Sequence, residues 1–441
     1  MFKRKLLKHL LDWKSSPVRK PLILRGARQV GKTSLVRDFA TQNYAHYLEI
    51  NLENKKQLSL FDSSQTAQEL LDRSSAYFNQ SILPDETLLF IDEVQESANI
   101  MSLLRFFAEE IPALHLIVAG SLLEAKLQKD FSFPVGRVDY LYLYPLTFFE
   151  YLVATGQDIL LAQLTTHTTL NHPSHELATE LFKKYLSLGG MPAIVQASLE
   201  PDSVRTVPII LNRLHTSYLD DIHKYASSSN SKYFEKIIEY APQIAGALYL
   251  YNNFGYSSFH TREISEAMHL LEKIMLLHEI QSLNSTSLPL SPKPKRAKKM
   301  IWLDFGLVSY ANNFTPLTPT PRSYSGQFME QVVGQTILSL SPSRPLPLYY
   351  WAKDHKDGSA EVDFCFQSNQ KVIAVEVKSG DSQKMKSLFS LSSIDSSVIL
   401  VRISWDPLGI EHHHYHNQSY QILSIPFYLM DRILDLVDVT T

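Results

Sequence analysis

Apolar and polar positions recur along this chain with two different periods, and the places where the period changes mark out its elements. Leu22-Ile23-Leu24 and Leu88-Leu89-Phe90-Ile91 are unbroken apolar runs, the pattern of central parallel strands covered on both faces. His46 to Leu52, Leu114 to Ala119 and Asp139 to Leu143 supply three more strands, interleaved with helical stretches such as Ile100 to Glu110. That succession predicts an α/β fold, a three-layer domain over residues 1–144. Ahead of it, Leu6, Leu7, Leu10 and Leu11 fall on one face of a helix.

Helical spacing dominates the middle of the chain. Leu152, Leu181, Tyr185 and Leu188 are available to a small helical core over residues 145–203. Residues 204–312 read as mostly helical, with the stripe Ile264, Met268, Leu271, Ile274 and Leu277 inside a helix from His260 to Ile280. Thr261 is followed three residues on by Ile264, which makes no capping box, so the start of that helix stays open.

Over residues 313–441 a helix from Gln327 to Leu338 precedes two strands, Glu361 to Phe366 and Val372 to Lys378, joined around Asn369-Gln370. A symmetric loop there pairs Ser368 with Lys371 and Gln367 with Val372. It carries Asp363 opposite Glu376 and Glu361 opposite Lys378. Alternation then sets these four charged residues on one face and Val362, Phe364, Phe366, Ile373, Val375 and Val377 on the other. Two carboxylates at cross-strand spacing repel unless a cation lies between them.

Composition narrows the class. A chain of 441 residues is too long for one core and points to about three domains. With 44% apolar and 20% charged residues it has the make-up of a soluble globular protein. The single cysteine, Cys365, excludes an internal disulfide framework and a multi-cysteine zinc site, and favours a reducing compartment, read as the cytoplasm. Lys8, His9 and Asp12 interrupt the first helix, and no run reaches bilayer-spanning length, so no membrane role is expected. A formal charge of −3 gives no overall signal for nucleic acid. The local basic run Lys293 to Lys299, within the Ser- and Pro-rich stretch 282–299, is either a solvated loop or a phosphate contact. His412, His413, His414 and His416 read as a polar surface loop rather than a metal site.

The chemistry concentrates in Gly26-Ala27-Arg28-Gln29-Val30-Gly31-Lys32-Thr33-Ser34, a phosphate-binding loop between an apolar run and a helix. Glycines let successive N–H groups curl around anionic oxygens at the positive end of the helix. Lys32 would reach the β- and γ-phosphates of ATP and the Thr33 hydroxyl would ligate Mg²⁺. Asp92-Glu93 ends a buried apolar run, where two acids need partners. In a nucleotide site Asp92 would serve the Mg²⁺ shell and Glu93 the attacking water. Ser121 follows Gly120 as either a γ-phosphate sensor or a turn serine. Arg137 is either a transition-state arginine, acting on a neighbouring copy, or a local ion-pair residue.

Taken in order, Gly-Ala-Arg-Gln-Val-Gly-Lys-Thr, Phe-Ile-Asp-Glu-Val-Gln, Val-Ala-Gly-Ser, Val-Gly-Arg, Tyr-Pro-Leu-Thr-Phe-Phe-Glu-Tyr (144–151) and Gly-Gly-Met-Pro (189–192) resemble one family. It is the prokaryotic AAA+-related ATPases with a C-terminal domain of unknown function, related to the archaeal ATPase group, and the likeness spans nearly the whole chain. The resemblance implies an AAA+-type core, a helical lid from Pro145 to about Leu199 closing on the nucleotide, and a winged helix with the loop near Lys295 as its wing. It also implies a C-terminal PD-(D/E)xK nuclease-like domain. There Asp363 and Glu376 would bind a second Mg²⁺ or Mn²⁺, Lys378 would position water or stabilise developing charge, and Glu330 would be the supporting acid. Val362 departs from the proline of the restriction-enzyme form. A plain ladder of cross-strand ion pairs, Glu361 to Lys378, explains the same residues.

The function expected is ATP hydrolysis coupled to a module that touches DNA or a protein partner, with homo-oligomerisation open. Two alternatives stand: a metal-dependent DNA nuclease gated by the ATPase, and a nucleotide-regulated interaction or defence protein on a degenerate nuclease fold.

Overall fold

The computed structural model describes residues 2–120, 136–166, 171–225, 230–314, 325–354, 360–380 and 385–440. The chain divides into two compact units. One comprises Met1–Tyr144 with Lys273–Leu276 and Ser341–Pro345, and the other holds the remainder.

The first unit is built on five parallel strands: β1 (Leu22–Arg25), β2 (His46–Asn51), β3 (Thr87–Asp92), β4 (His115–Gly120) and β5 (Asp139–Tyr142). Their spatial order is β2-β3-β4-β1-β5. Strands β3 and β4 are buried along their whole length, as their unbroken apolar runs require. Ile23, Ile50, Leu89, Ile91 and Val118 pack with Leu104 and Phe107 of the helix Ala98–Glu110. That helix starts where it does because the Ser97 hydroxyl accepts the Ile100 amide at 2.9 Å. Its stripe Ile100, Met101, Leu104 and Phe107 then turns inward. The first helix, Leu6–Ser15, buries Leu6, Leu10 and Trp13, but leaves Leu11 exposed. At about 100° per residue, Leu11 lies well round from Leu6. Strands β1 and β3 both run parallel to the β4 between them, so their carboxyl ends lie at the same edge of the sheet, where ligands of open parallel sheets bind.

The second unit carries a nine-stranded sheet. Its strands are β6 (Leu248–Tyr249), β7 (Leu277–Ser282), β8 (Lys298–Trp302), β9 (Leu348–Ala352), β10 (Glu361–Ser368), β11 (Lys371–Val377), β12 (Ile399–Ser404), β13 (Gly409–Tyr415) and β14 (Gln418–Pro426). The order is β13-β14-β12-β11-β10-β9-β7-β8-β6. The β10–β11 ladder pairs Ser368 with Lys371 and Phe364 with Val375. A two-residue turn closes it, with Asn369 (φ 43°) and Gln370 (φ 64°) both left-handed.

Two expectations for this unit are corrected. The helix predicted from His260 to Ile280 runs only from Thr261 to Lys273, and Leu277–Ser282 is β7. Met275 at φ 61° ends the helical path, and the apolar run Ile274–Leu277 fits both periods, so spacing could not separate them. Nor is the histidine segment a loop. It is the edge strand β13, with His412 and His414 exposed and His413 half-buried beside Glu411 at 2.9 Å, while His416, at φ 49°, lies in the turn that follows.

Two of the family-like motifs have local structural causes. In Tyr-Pro-Leu-Thr-Phe-Phe-Glu-Tyr, Thr147 and Glu150 form a reciprocal capping box opening the helix Phe148–Ala154. In Gly-Gly-Met-Pro, a Cβ on Gly190 would strike the Leu146 carbonyl and one on Gly189 would strike Asp304. Asp304 is completely buried. Its Oδ1 accepts the amides of Gly306 at 2.9 Å and Leu307 at 3.3 Å, capping the helix Phe305–Ala311. Its Oδ2 accepts the Gly190 amide at 2.7 Å and the Gln335 side chain at 3.3 Å. Burial pushes Asp304 up to about 6 even against these four donors.

Candidate nucleotide site and carboxylate cluster

The loop Gly26–Gly31 connects β1 to the helix Lys32–Asn43. Gly31 caps that helix at φ 98°, and Gln29 is also left-handed at φ 65°, the alternating backbone that turns N–H groups to one side. Gly26 has no room for a side chain, since a Cβ would sit 2.5 Å from the Leu143 carbonyl. Arg4 braces the loop, its guanidinium donating to the carbonyls of Val30 at 3.0 Å and Tyr144 at 2.5 Å. Nothing in the sequence signals that role, because the contact to Tyr144 crosses 140 positions.

Lys32 is buried, and its ammonium donates to the carbonyls of Gly26 and Ala27, each at 2.9 Å. Burial lowers its pKa to about 8, with the charges of Glu93 and Asp92 opposing the fall. The Thr33 hydroxyl donates to Asp92 Oδ2 at 2.6 Å, and Asp92 Oδ1 accepts the Glu93 amide at 3.0 Å. Glu93 is itself left-handed at φ 52°, which turns its side chain off the strand axis, and Gln95 donates to its Oε2 at 2.5 Å. Burial raises both carboxyls. Thr33 and Asp92 thus present adjacent hard oxygens, a donor set suited to Mg²⁺. Arg28 lies 3.5 Å from Glu53 at the loop's outer side, and Ser34 continues the helix. Arg137 is half exposed and pairs with Glu109 at 2.8 Å. Ser121 lies outside the described residues.

The expected C-terminal constellation is also brought together, with a partner that spacing did not suggest. Lys299, on β8 and 1% exposed, places its ammonium 2.5 Å from Glu330, 3.4 Å from Glu361 and 3.7 Å from Asp363. Glu361 therefore pairs with Lys299 rather than Lys378, and Lys378 pairs with Glu376 at 2.6 Å. Asp363 Oδ2 accepts the Val377 amide at 2.7 Å. Burial and repulsion by Asp363 raise both Glu330 and Glu376. For Lys299, burial alone would lower the pKa, but Asp363, Glu330 and Glu361 together raise it. Most of the basic run is ion-paired: Lys293 and Arg296 share Asp354, Lys298 pairs with Glu279 and Lys299 with Glu330.

Fold and site together define a P-loop nucleotide-binding unit on a parallel α/β sheet. Comparison with known families agrees, since residues 18–152 match the model described as AAA domain. This region is similar to AAA-type nucleotide-binding domains. Residues 179–318 match a domain of unknown function (DUF8612), and residues 325–426 match another (DUF4143). No curated protein matches the chain. Among solved structures, the Aeropyrum pernix Orc1 protein in complex with DNA is 13% identical, covering 72% of this chain and 94% of that one, with a TM-score of 0.30. The Thermotoga maritima RuvB Holliday junction branch migration motor is 17% identical, covering 67% and 93%, with a TM-score of 0.27. Among the described residues no helix is long and apolar enough to cross a membrane.

Proposed function

We propose that this protein is a cytoplasmic Mg²⁺-dependent ATPase whose nucleotide state biases the carboxy-terminal unit toward or away from a nucleic-acid or protein partner. The observation that carries the reading is the convergence of Lys32, the Thr33–Asp92 pair and Glu93 on the mouth between β1 and β3. A bound triphosphate would offer Lys32 anionic oxygens in place of two neutral carbonyls. Mg²⁺, held by Thr33 and Asp92, would supply charge neutralisation at the phosphates. Glu93, fixed by Gln95, would orient a water for attack on the γ-phosphorus, the bond to the bridging oxygen breaking to leave ADP and phosphate. The test is ATP turnover by the full chain with Mg²⁺, alongside nucleotide binding. Absence of triphosphate binding with Mg²⁺ present would sink the reading.

A second reading rests on element order. The helix Gly326–Ser339, strands β9, β10 and β11, the helix Lys386–Ser392 and strand β12 follow the sequence of a PD-(D/E)xK core, with β11 and β12 parallel. Likewise the helix Ser231–Tyr240, β6, the helix Thr261–Lys273 and the antiparallel β7–β8 pair, with β6 beside β8, follow the order of a winged helix. On this reading the carboxy-terminal unit is a nucleic-acid-binding descendant of a nuclease. Mg²⁺- or Mn²⁺-dependent DNA cleavage that survives Lys32→Ala but not Asp363→Ala would instead favour an active nuclease.

A further inference from the structure

The cluster around Asp363 has the acids of a metal site and a different cation inside it. Lys299 enters from β8, between Glu330 on its helix and Glu361 and Asp363 on β10. Its ammonium lies over the rings of Phe364, 5.1 Å from the ring centre, and Tyr350, at 6.0 Å. The ammonium also donates to the Asp363 carbonyl at 3.3 Å.

A divalent ion needs several oxygens free to converge on one point at about 2.0–2.6 Å. Here most of those oxygens are engaged. Asp363 turns Oδ1 to Lys299 at 3.7 Å and gives Oδ2 to the Val377 amide, while Glu376 Oε1 receives Lys378 and Glu376 Oε2 is buried without a hydrogen-bond partner among the described residues. Among the described residues no group of three or more His, Cys, Asp or Glu is arranged to hold a metal ion. One unpartnered carboxylate oxygen falls short of the several that a divalent ion requires, so the residues present do not fit the metal that a nuclease-like core implies.

We propose that Lys299 is a built-in cation occupying the position a divalent ion would fill, so that this domain is held together without metal and does not cleave phosphodiesters. The ammonium also ties the β6–β8–β7 part of the sheet to the β9–β12 part, a structural duty that a dissociable ion would perform only when bound. The inference does not depend on ATP hydrolysis.

The experiment is a Mn²⁺ titration of the nucleotide-free full chain followed by electron paramagnetic resonance. For the wild type, no Asp363-dependent Mn²⁺ should bind below about 1 mM, the weak end for carboxylate sites. Lys299→Met, which empties the position while keeping the stem, should gain one Mn²⁺ that is lost again on adding Asp363→Asn. Asp363-dependent Mn²⁺ binding by the wild type would overturn the proposal, as would metal-dependent DNA cleavage abolished by Asp363→Ala. Failure of a folded Lys299→Met protein to gain the ion would also overturn it. Should Lys299→Met not fold, Lys299→Met with Glu330→Gln removes one charge of each sign and takes its place. The wild-type titration needs no variant and can refute the idea by itself.

Discussion

Two buried lysines, each close to acids at the ends of buried strands, have opposite characters. Lys32 is surrounded first by neutral carbonyls, and burial lowers its pKa to about 8. Lys299 is surrounded by three carboxylates that raise its pKa despite burial. The first is a positive charge short of negative partners, poised for an anion. The second is already satisfied. Residue type and burial are the same in both, so the partner set alone separates a binding group from a structural one.

The sharpest tests act on that contrast. Glu93→Gln keeps shape and binding but removes the base, and ATP turnover should fall by about 10²–10⁴-fold with nucleotide affinity retained, read by phosphate release and fluorescent-nucleotide titration. Lys299→Met strands three carboxylates and should lower unfolding free energy by about 3–5 kcal/mol in denaturant titration. Lys32→Met should leave stability unchanged or higher, and equal losses in the two variants would break the comparison. Asp304→Ala removes an acceptor from four donors and should cost on the order of 3 kcal/mol. Because Asp304 is raised to about 6 in the folded protein, its contribution is full below its unfolded value and is lost as pH rises through about 6. A stability-versus-pH curve for Asp304→Asn should lack that decline.

Smaller effects follow from Lys32 and Arg137. Above about pH 8 the nucleotide-free Lys32 loses its proton, so triphosphate affinity should fall by up to about tenfold per pH unit. The unfolded chain holds that proton more tightly, so stability of the nucleotide-free protein gains from Lys32 over the same range. Arg137→Ala breaks a half-exposed ion pair with Glu109 and should change stability by about 0.5 kcal/mol or less. A large loss of ATP turnover in that variant, confined to protein that self-associates with ATP by mass measurement, would give Arg137 its role on a neighbouring copy.

How much of this was legible in the sequence depends on distance along the chain. The phosphate loop, the strand that ends at Asp92 and the β10–β11 register are local patterns, since Gly31 and Asn369-Gln370 announce their own backbone geometry. The cation of the carboxylate cluster was hidden, because Lys299 sits inside a basic run that reads as a surface loop and meets Asp363 across 64 positions. Asp304 was hidden for the same reason, meeting Gly190 across 114 positions. The capping box of Thr147 and Glu150 was visible in principle, as a threonine followed three residues later by glutamate. Helix and strand were confused over Leu277–Ile280, because the apolar run Ile274–Leu277 leading into it satisfies both periods.

The parallel pairing of β7 with β9, through Gln281 with Tyr349 and Ser282 with Tyr350, joins the segments 179–318 and 325–426 into one sheet. A gene cut near residue 320 would therefore yield two fragments, each with a raw strand border and a strong tendency to clump. Anyone producing the carboxy-terminal half by itself should begin upstream of β6, so that the sheet travels whole.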